Sequence, residues 1–113
     1  RVVACDIDPA SLDATAANAA LNGVHLALAG DFFQLDERFD VLFAADVLYD
    51  HANRAFLPAF LDRADTVWLA DSRVKNLQAE HYAQVASVMA GTLPDLNEFD
   101  EFRRVNIYRG QRG

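Results

Sequence analysis

The opening stretch, RVVACDIDPASLDATAANAALNGV, constrains the fold more than any other part of the chain. Val2-Val3-Ala4-Cys5 is a short apolar run, β-branched at its start, of the kind that forms a strand covered on both faces. Asp6-Ile7-Asp8-Pro9 breaks that pattern. Asp8 is placed to cap a following helix, and Pro9 takes the first helical position, where a missing N–H costs nothing. The helix is expected to run to about Leu21 and to stop at Asn22-Gly23, where glycine accepts positive φ. A strand that turns directly into a capped helix begins an α/β unit. In an open parallel sheet, the loops after the strand C-termini form the ligand crevice, and Asp6 would stand at that edge.

The remaining elements follow from the same signals. Val24 to Leu28 alternates weakly and reads as a second strand, which ends in Gly30-Asp31-Phe32-Phe33. Gln34 to Arg38 is polar enough for a loop or one helical turn. Phe39 to Ala45 is the strongest strand signal and stops at Asp46-Val47-Leu48-Tyr49-Asp50. Ala52 to Arg63 reads as a helix with Phe56, Phe60 and Leu61 on its apolar face, and Pro58 either kinks it or marks its true start. Thr66 to Ala70 is a fourth strand, closed by Asp71-Ser72-Arg73. Asn76 to about Met89 is expected to be a helix that buries Leu77, Tyr82, Val85, Val88 and Met89. Leu93 to Phe102 has no clear periodicity, and Val105 to Tyr108 alternates as a last strand.

This order implies an α/β fold with a mostly parallel, helix-covered sheet. Four successive strands end in an acid: Asp6, Asp31, Asp46 and Asp71. One such acid is commonly a turn residue or a cap. Four on one rim point to a polar binding crevice, since folding alone does not require them.

Bulk properties narrow the function classes. The 113 residues make one domain at most, long enough for a core. The chain begins at Arg1, directly at a strand, and is expected to be a piece of a longer protein. The net charge is −7, from 10 basic and 17 acidic residues, with no Lys/Arg cluster, so no nucleic-acid partner is expected. No apolar run approaches the roughly 20 residues of a membrane helix. No membrane association is therefore expected, and a cytoplasmic location fits best. Cys5 is the single cysteine, cannot form an internal disulfide, and reads as a small core residue. His25, His51 and His81 lack metal-ligand spacing, so no metal site is expected.

The motifs resemble class I (seven-β-strand, Rossmann-like) S-adenosylmethionine-dependent methyltransferases, closest to the group of protein lysine methyltransferases and ribosomal protein L11 methyltransferases. The likeness rests on DIDP…NAALNGV (Asp6 to Val24), on ADVLYD (Ala45 to Asp50) and on VNIYR (Val105 to Arg109). It starts at the second strand of that fold and runs to the end of the chain. It implies a three-layer Rossmann-like, mostly parallel sheet flanked by helices. Residues 1–113 would then be the C-terminal two-thirds of one methyltransferase domain, truncated at its N-terminus. The cofactor implied is S-adenosylmethionine. Asp6 would accept the ribose hydroxyls, Ile7 would pack on the adenine, and Asp31 would accept from the adenine amino group with Phe32 beside the ring. Asp46 would lie near the methionine end and the substrate, and Tyr49 would shape the substrate pocket. Asp46 and Tyr49 are the candidate catalytic residues, accepting or orienting the amine of a protein lysine or a small-molecule methyl acceptor.

The chain departs from the family in one respect: it contains no GxGxG loop after a strand. In the family that loop cradles the methionine part of the cofactor, and its strand lies between those that correspond to Arg1–Asp6 and Phe39–Ala45. The first strand and its loop are thus expected to be missing, with a gap between those two strands. The segment by itself is expected to bind the cofactor weakly and to have low stability. Two other readings stay open: a nicotinamide-nucleotide-binding domain, in which an acid after the second strand also binds ribose, and a degenerate, non-catalytic methyltransferase-like binding domain. Oligomeric state and the methyl acceptor are not encoded in any motif.

Overall fold

A computed structural model describes residues 1–91 and 103–112, and the stretch from Leu93 to Phe102 lies outside them. The chain divides into two compact units, Arg1–Glu37 and Arg38–Gly113.

In the first unit, β1 (Val3–Cys5) and β2 (Ala27–Ala29) pair in parallel, with Val3 opposite Ala27 and Cys5 opposite Ala29. Helix α1 (Pro9–Leu21) connects them. Its start is the one expected: Asp8 is the N-cap, its carboxylate accepts from the Ala10 N–H at 3.0 Å and the Ser11 hydroxyl at 3.2 Å, and Pro9 opens the helix. Its end is also as expected. Gly23 adopts φ +66°, and the N–H groups of Asn22, Gly23 and Val24 close onto carbonyls of the last turn. The helix is alanine-rich and buries only Ala19. Leu21, Val24 and Leu28 are exposed. Cys5 is exposed as well, which corrects its expected core position. A strand of three residues in a two-stranded sheet has too few neighbours to cover both its faces.

The second unit is a four-stranded sheet in the order β3-β4-β6-β5: β3 is Phe39–Ala45, β4 Ala64–Asp71, β5 Tyr82–Met89 and β6 Arg104–Gly110. β3 and β4 are parallel, whereas β6 is antiparallel to both β4 and β5. Helix α2 (Phe56–Arg63) follows a 3₁₀ turn, His51–Ala55, capped by Asp50. Pro58 sits in the first turn of α2, where its missing N–H has no intrahelical partner to lose. Leu57, Phe60 and Leu61 of α2 are buried. Leu57 joins Leu48, Leu69, Leu77 and Tyr108 in a core cluster, and Val67 and Leu69 on β4 are fully buried. The apolar residues of β3 are much less covered, with Phe43 79% exposed.

These observations overturn the expected three-layer Rossmann-like, mostly parallel sheet. Among the described residues six strands form two sheets, and the larger one has mixed orientation, with two of its three pairings antiparallel. Among the described residues, β1 pairs only with β2 and β3 only with β4. There are two α-helices among the described residues, not three, because the helix expected over Asn76–Met89 does not form. That segment is an irregular run followed by β5. Leu77, Tyr82, Val85 and Val88 are spaced to satisfy a helical stripe, yet Val85 and Val88 are β-branched and suit a strand equally well. Pairing decides the matter, since β5 satisfies the outer edge of β6 from Tyr82 opposite Gly110 to Met89 opposite Arg104, with an irregularity between Gln84 and Ala86. Gly110 is needed there: a Cβ would lie 2.5 Å from Cε1 of the Tyr82 ring, which covers it.

Candidate functional site

The four strand-end acids fall into two pairs, one in each unit. In the first unit the parallel register of β1 and β2 brings Asp6 and Asp31 to the same end of the sheet. The Asp6 N–H donates to the Ala29 carbonyl at 3.1 Å, which extends the ladder one step past Cys5. Each acid spends one oxygen on its own loop. Asp6 Oδ1 accepts from the Asp8 N–H at 2.9 Å, and Asp31 Oδ1 accepts from the Phe33 N–H at 2.9 Å to cap the turn Phe32–Gln34. Neither Oδ2 takes part in these bonds. Ile7, between Asp6 and Asp8 in the chain, is 73% exposed and presents an apolar side chain to solvent. Phe32 is buried, with its ring edge-on to Phe33 at 5.8 Å, so its side chain serves the core while Phe33 is the exposed ring. Cys5 lies close enough to feel both acids. Partial burial, then Asp31, then Asp6 raise its thiol above the usual range, so it stays protonated and is a poor nucleophile at neutral pH.

In the second unit Asp46 follows β3 and Asp71 ends β4, and their parallel pairing sets them side by side. Asp46 has φ +50°, a left-handed conformation uncommon for a residue with a side chain, although Asp tolerates it better than most. Three bonds hold it there. The Asp46 N–H donates to the Ala70 carbonyl at 2.8 Å, and its Oδ1 accepts from both the N–H and the hydroxyl of Ser72, each at 2.9 Å. Asp71 differs from the other three acids in being fully buried. Its Oδ2 accepts from the Arg73 N–H at 3.1 Å and the Val74 N–H at 2.7 Å, while Oδ1 is buried with no hydrogen-bond partner. Asp71 is therefore the residue that shapes the loop after β4, and it is not a surface ligand on the rim. The segment Asp46–Asp50 is pinned at Leu48, which enters the core, and at the Val47 carbonyl, which accepts from Asn53 Nδ2 at 2.9 Å. Tyr49, beside the pinned Leu48, is 63% exposed. Asp50 is committed to the Ala52 N–H as a cap.

Asp6 and Asp31 thus share one sheet end in the first unit, followed in the chain by the exposed Ile7, and Asp46 joins the Asp71–Ser72 loop in the second, where Tyr49 is exposed three residues on. No motif in the sequence marks Ser72. The signal was a hydroxyl one residue beyond a strand-ending acid, which acquires meaning only once β3 and β4 are known to be parallel neighbours. Among the described residues no group of three or more His, Cys, Asp or Glu side chains is arranged to hold a metal ion, and no helix is long and apolar enough to cross a membrane. Comparison of the chain with protein-family models, with curated proteins and with solved structures finds no match.

Proposed function

We propose that this chain carries part of the site of an S-adenosylmethionine-dependent methyltransferase whose acceptor is an amine, on a protein lysine or a small molecule. The observation that supports this most directly is the placing of Asp6 and Asp31 at one end of β1 and β2, with the exposed Ile7 following Asp6 in the chain. Two carboxylates with an oxygen each to spare, one of them followed in the chain by an apolar residue, suit an adenosine. One accepts from the ribose diol, the other from the exocyclic amine, and the aliphatic side chain covers the face of the base. The cofactor would supply a sulfonium methyl group, and the chain's own task is to bind and orient. Asp46 and Tyr49 are the residues proposed to meet the acceptor. Asp46 is exposed, and its Oδ2 receives no hydrogen bond from the described residues. A carboxylate in that position orients an ammonium group and accepts its proton before methyl transfer.

The test is calorimetric titration of the protein in its natural length with S-adenosylmethionine and, separately, with NAD. Binding of S-adenosylmethionine in the micromolar range is expected, weakened roughly 10- to 100-fold by Asp6→Ala, as the loss of charge-assisted hydrogen bonds implies. Preferential binding of NAD, or binding of S-adenosylmethionine that is indifferent to Asp6→Ala, would overturn the proposal.

A further inference from the structure

We infer that Ser72 is a positioning residue for Asp46: it holds one carboxylate oxygen so that the other meets the amine of the methyl acceptor. The inference rests on the methyl-transfer reading for the identity of the acceptor. Its geometry stands on the structure of the second unit.

Asp46 begins from an unfavourable backbone state, since a φ of +50° is disfavoured for a residue with a side chain. A turn acid needs no such conformation to cap a loop. Asp50, for example, caps the next turn from an extended backbone at φ −126°. The left-handed residue directs the Asp46 side chain across to the neighbouring strand end, where Ser72 donates twice to the same oxygen, Oδ1. Two donors on Oδ1 fix the rotation of the carboxylate and leave the lone pairs of Oδ2 unused. Ser72 is itself held by a buried support. Asp71, immediately before it and fully buried, accepts from the Arg73 and Val74 N–H groups and so sets the path of the loop on which Ser72 sits. The Asp46 N–H bond to the Ala70 carbonyl ties the two strand ends together from the other side. The order of support is therefore Asp71, then the 72–74 loop, then Ser72, then Asp46. Each step is a hydrogen bond or a covalent neighbour. Asp46 uses one oxygen and is exposed.

Replacing Ser72 tests this. Ser72→Ala keeps the backbone N–H donor and removes the hydroxyl, so the fold is retained while the carboxylate regains rotational freedom. Ser72→Thr keeps the hydroxyl. The probe is n-butylammonium chloride, a mimic of the lysine side chain, titrated into the protein in its natural length and followed by the ¹³Cγ resonance of Asp46. Saturable binding is expected in the wild type and loss of the response in Asp46→Asn. Binding about tenfold weaker is expected in Ser72→Ala, with recovery in Ser72→Thr, in line with the worth of one hydrogen bond to a charged group. Unchanged affinity in Ser72→Ala, or a Ser72→Thr variant as weak as Ser72→Ala, overturns the inference. The titration is independent of cofactor binding. If the amine binds and depends on Ser72 while S-adenosylmethionine does not bind, the positioning geometry stands and the methyl-transfer reading falls. If S-adenosylmethionine binds and the amine response ignores Ser72, the reverse holds.

Discussion

Replacing Tyr82 by phenylalanine removes one oxygen and tests how β5 is fastened to the rest of its unit. The Tyr82 hydroxyl donates to the Leu57 carbonyl in α2 at 2.6 Å, and its ring lies over Gly110 of β6. The Leu57 carbonyl lies within helix α2, so the substitution removes the bond without stripping a buried acceptor of every partner. The expected loss at neutral pH is about 1 kcal/mol, or about 4 °C in Tm for a domain of this size. The pH dependence is the sharper part of the test. Burial raises the phenol well above its ordinary value. A group whose pKa is raised by folding lends its stability fully below its unfolded pKa, here about 10, and loses it as pH climbs towards the folded value. Each unit above pH 10 thus costs the wild type up to about 1.4 kcal/mol, and somewhat less because the half-buried ring is partly screened by solvent. The variant has no phenol at this position and does not pay that cost, while Tyr49 and Tyr108 are common to both proteins and cancel in the difference. Urea unfolding of both proteins from pH 7 to 11.5 should show the gap closing above pH 10 and reversing near pH 11, since about 1 kcal/mol is consumed within the first unit. A gap that stays constant across this range, or a variant as stable as the wild type at pH 7, would refute the reasoning.

Two further outcomes follow from the same structure. Leu69→Ala, at a fully buried position on β4 in the cluster around Leu57 and Tyr108, should lower unfolding stability by about 3–5 kcal/mol. A loss under about 1.5 kcal/mol in a urea titration would mean that this face of β4 is not the core of the unit. Alkylation of Cys5 by iodoacetamide should show its pH inflection above the ordinary thiol range, and Asp31→Asn should move the inflection down, because burial and then the Asp31 carboxylate oppose the thiolate. An inflection at or below the ordinary value of about 8.5, or one insensitive to Asp31→Asn, would show that the pair is not arranged as described.

Features set by neighbouring residues were legible from the sequence. Asp8-Pro9 starts α1 and Asn22-Gly23 ends it, because a cap and a positive φ are properties of a few adjacent residues. β3 occupies the expected residues Phe39–Ala45, since a long apolar β-branched and aromatic run has few other outcomes. The acids after β1, β3 and at the end of β4 stand where the strand signals stop, and Asp31 lies two residues past β2. What the sequence did not disclose depends on contacts between distant residues. The run from Tyr82 to Met89 fits a helix or a strand by its own pattern, and β6, which pairs along its whole length, makes it a strand. That antiparallel pairing in turn removes the expected parallel sheet. Burial is equally non-local: Cys5, at the end of a three-residue strand, is exposed, whereas Asp71, an acid at a strand end like the others, is fully enclosed. The candidate site follows the same division. The sequence determined which acids stand at strand ends, because side-chain chemistry and strand periodicity are local. Only the tertiary structure decided that Asp6 shares a sheet end with Asp31 and that Ser72 grips Asp46, because the parallel registers of β1 with β2 and of β3 with β4 bring together loops that are far apart in the chain.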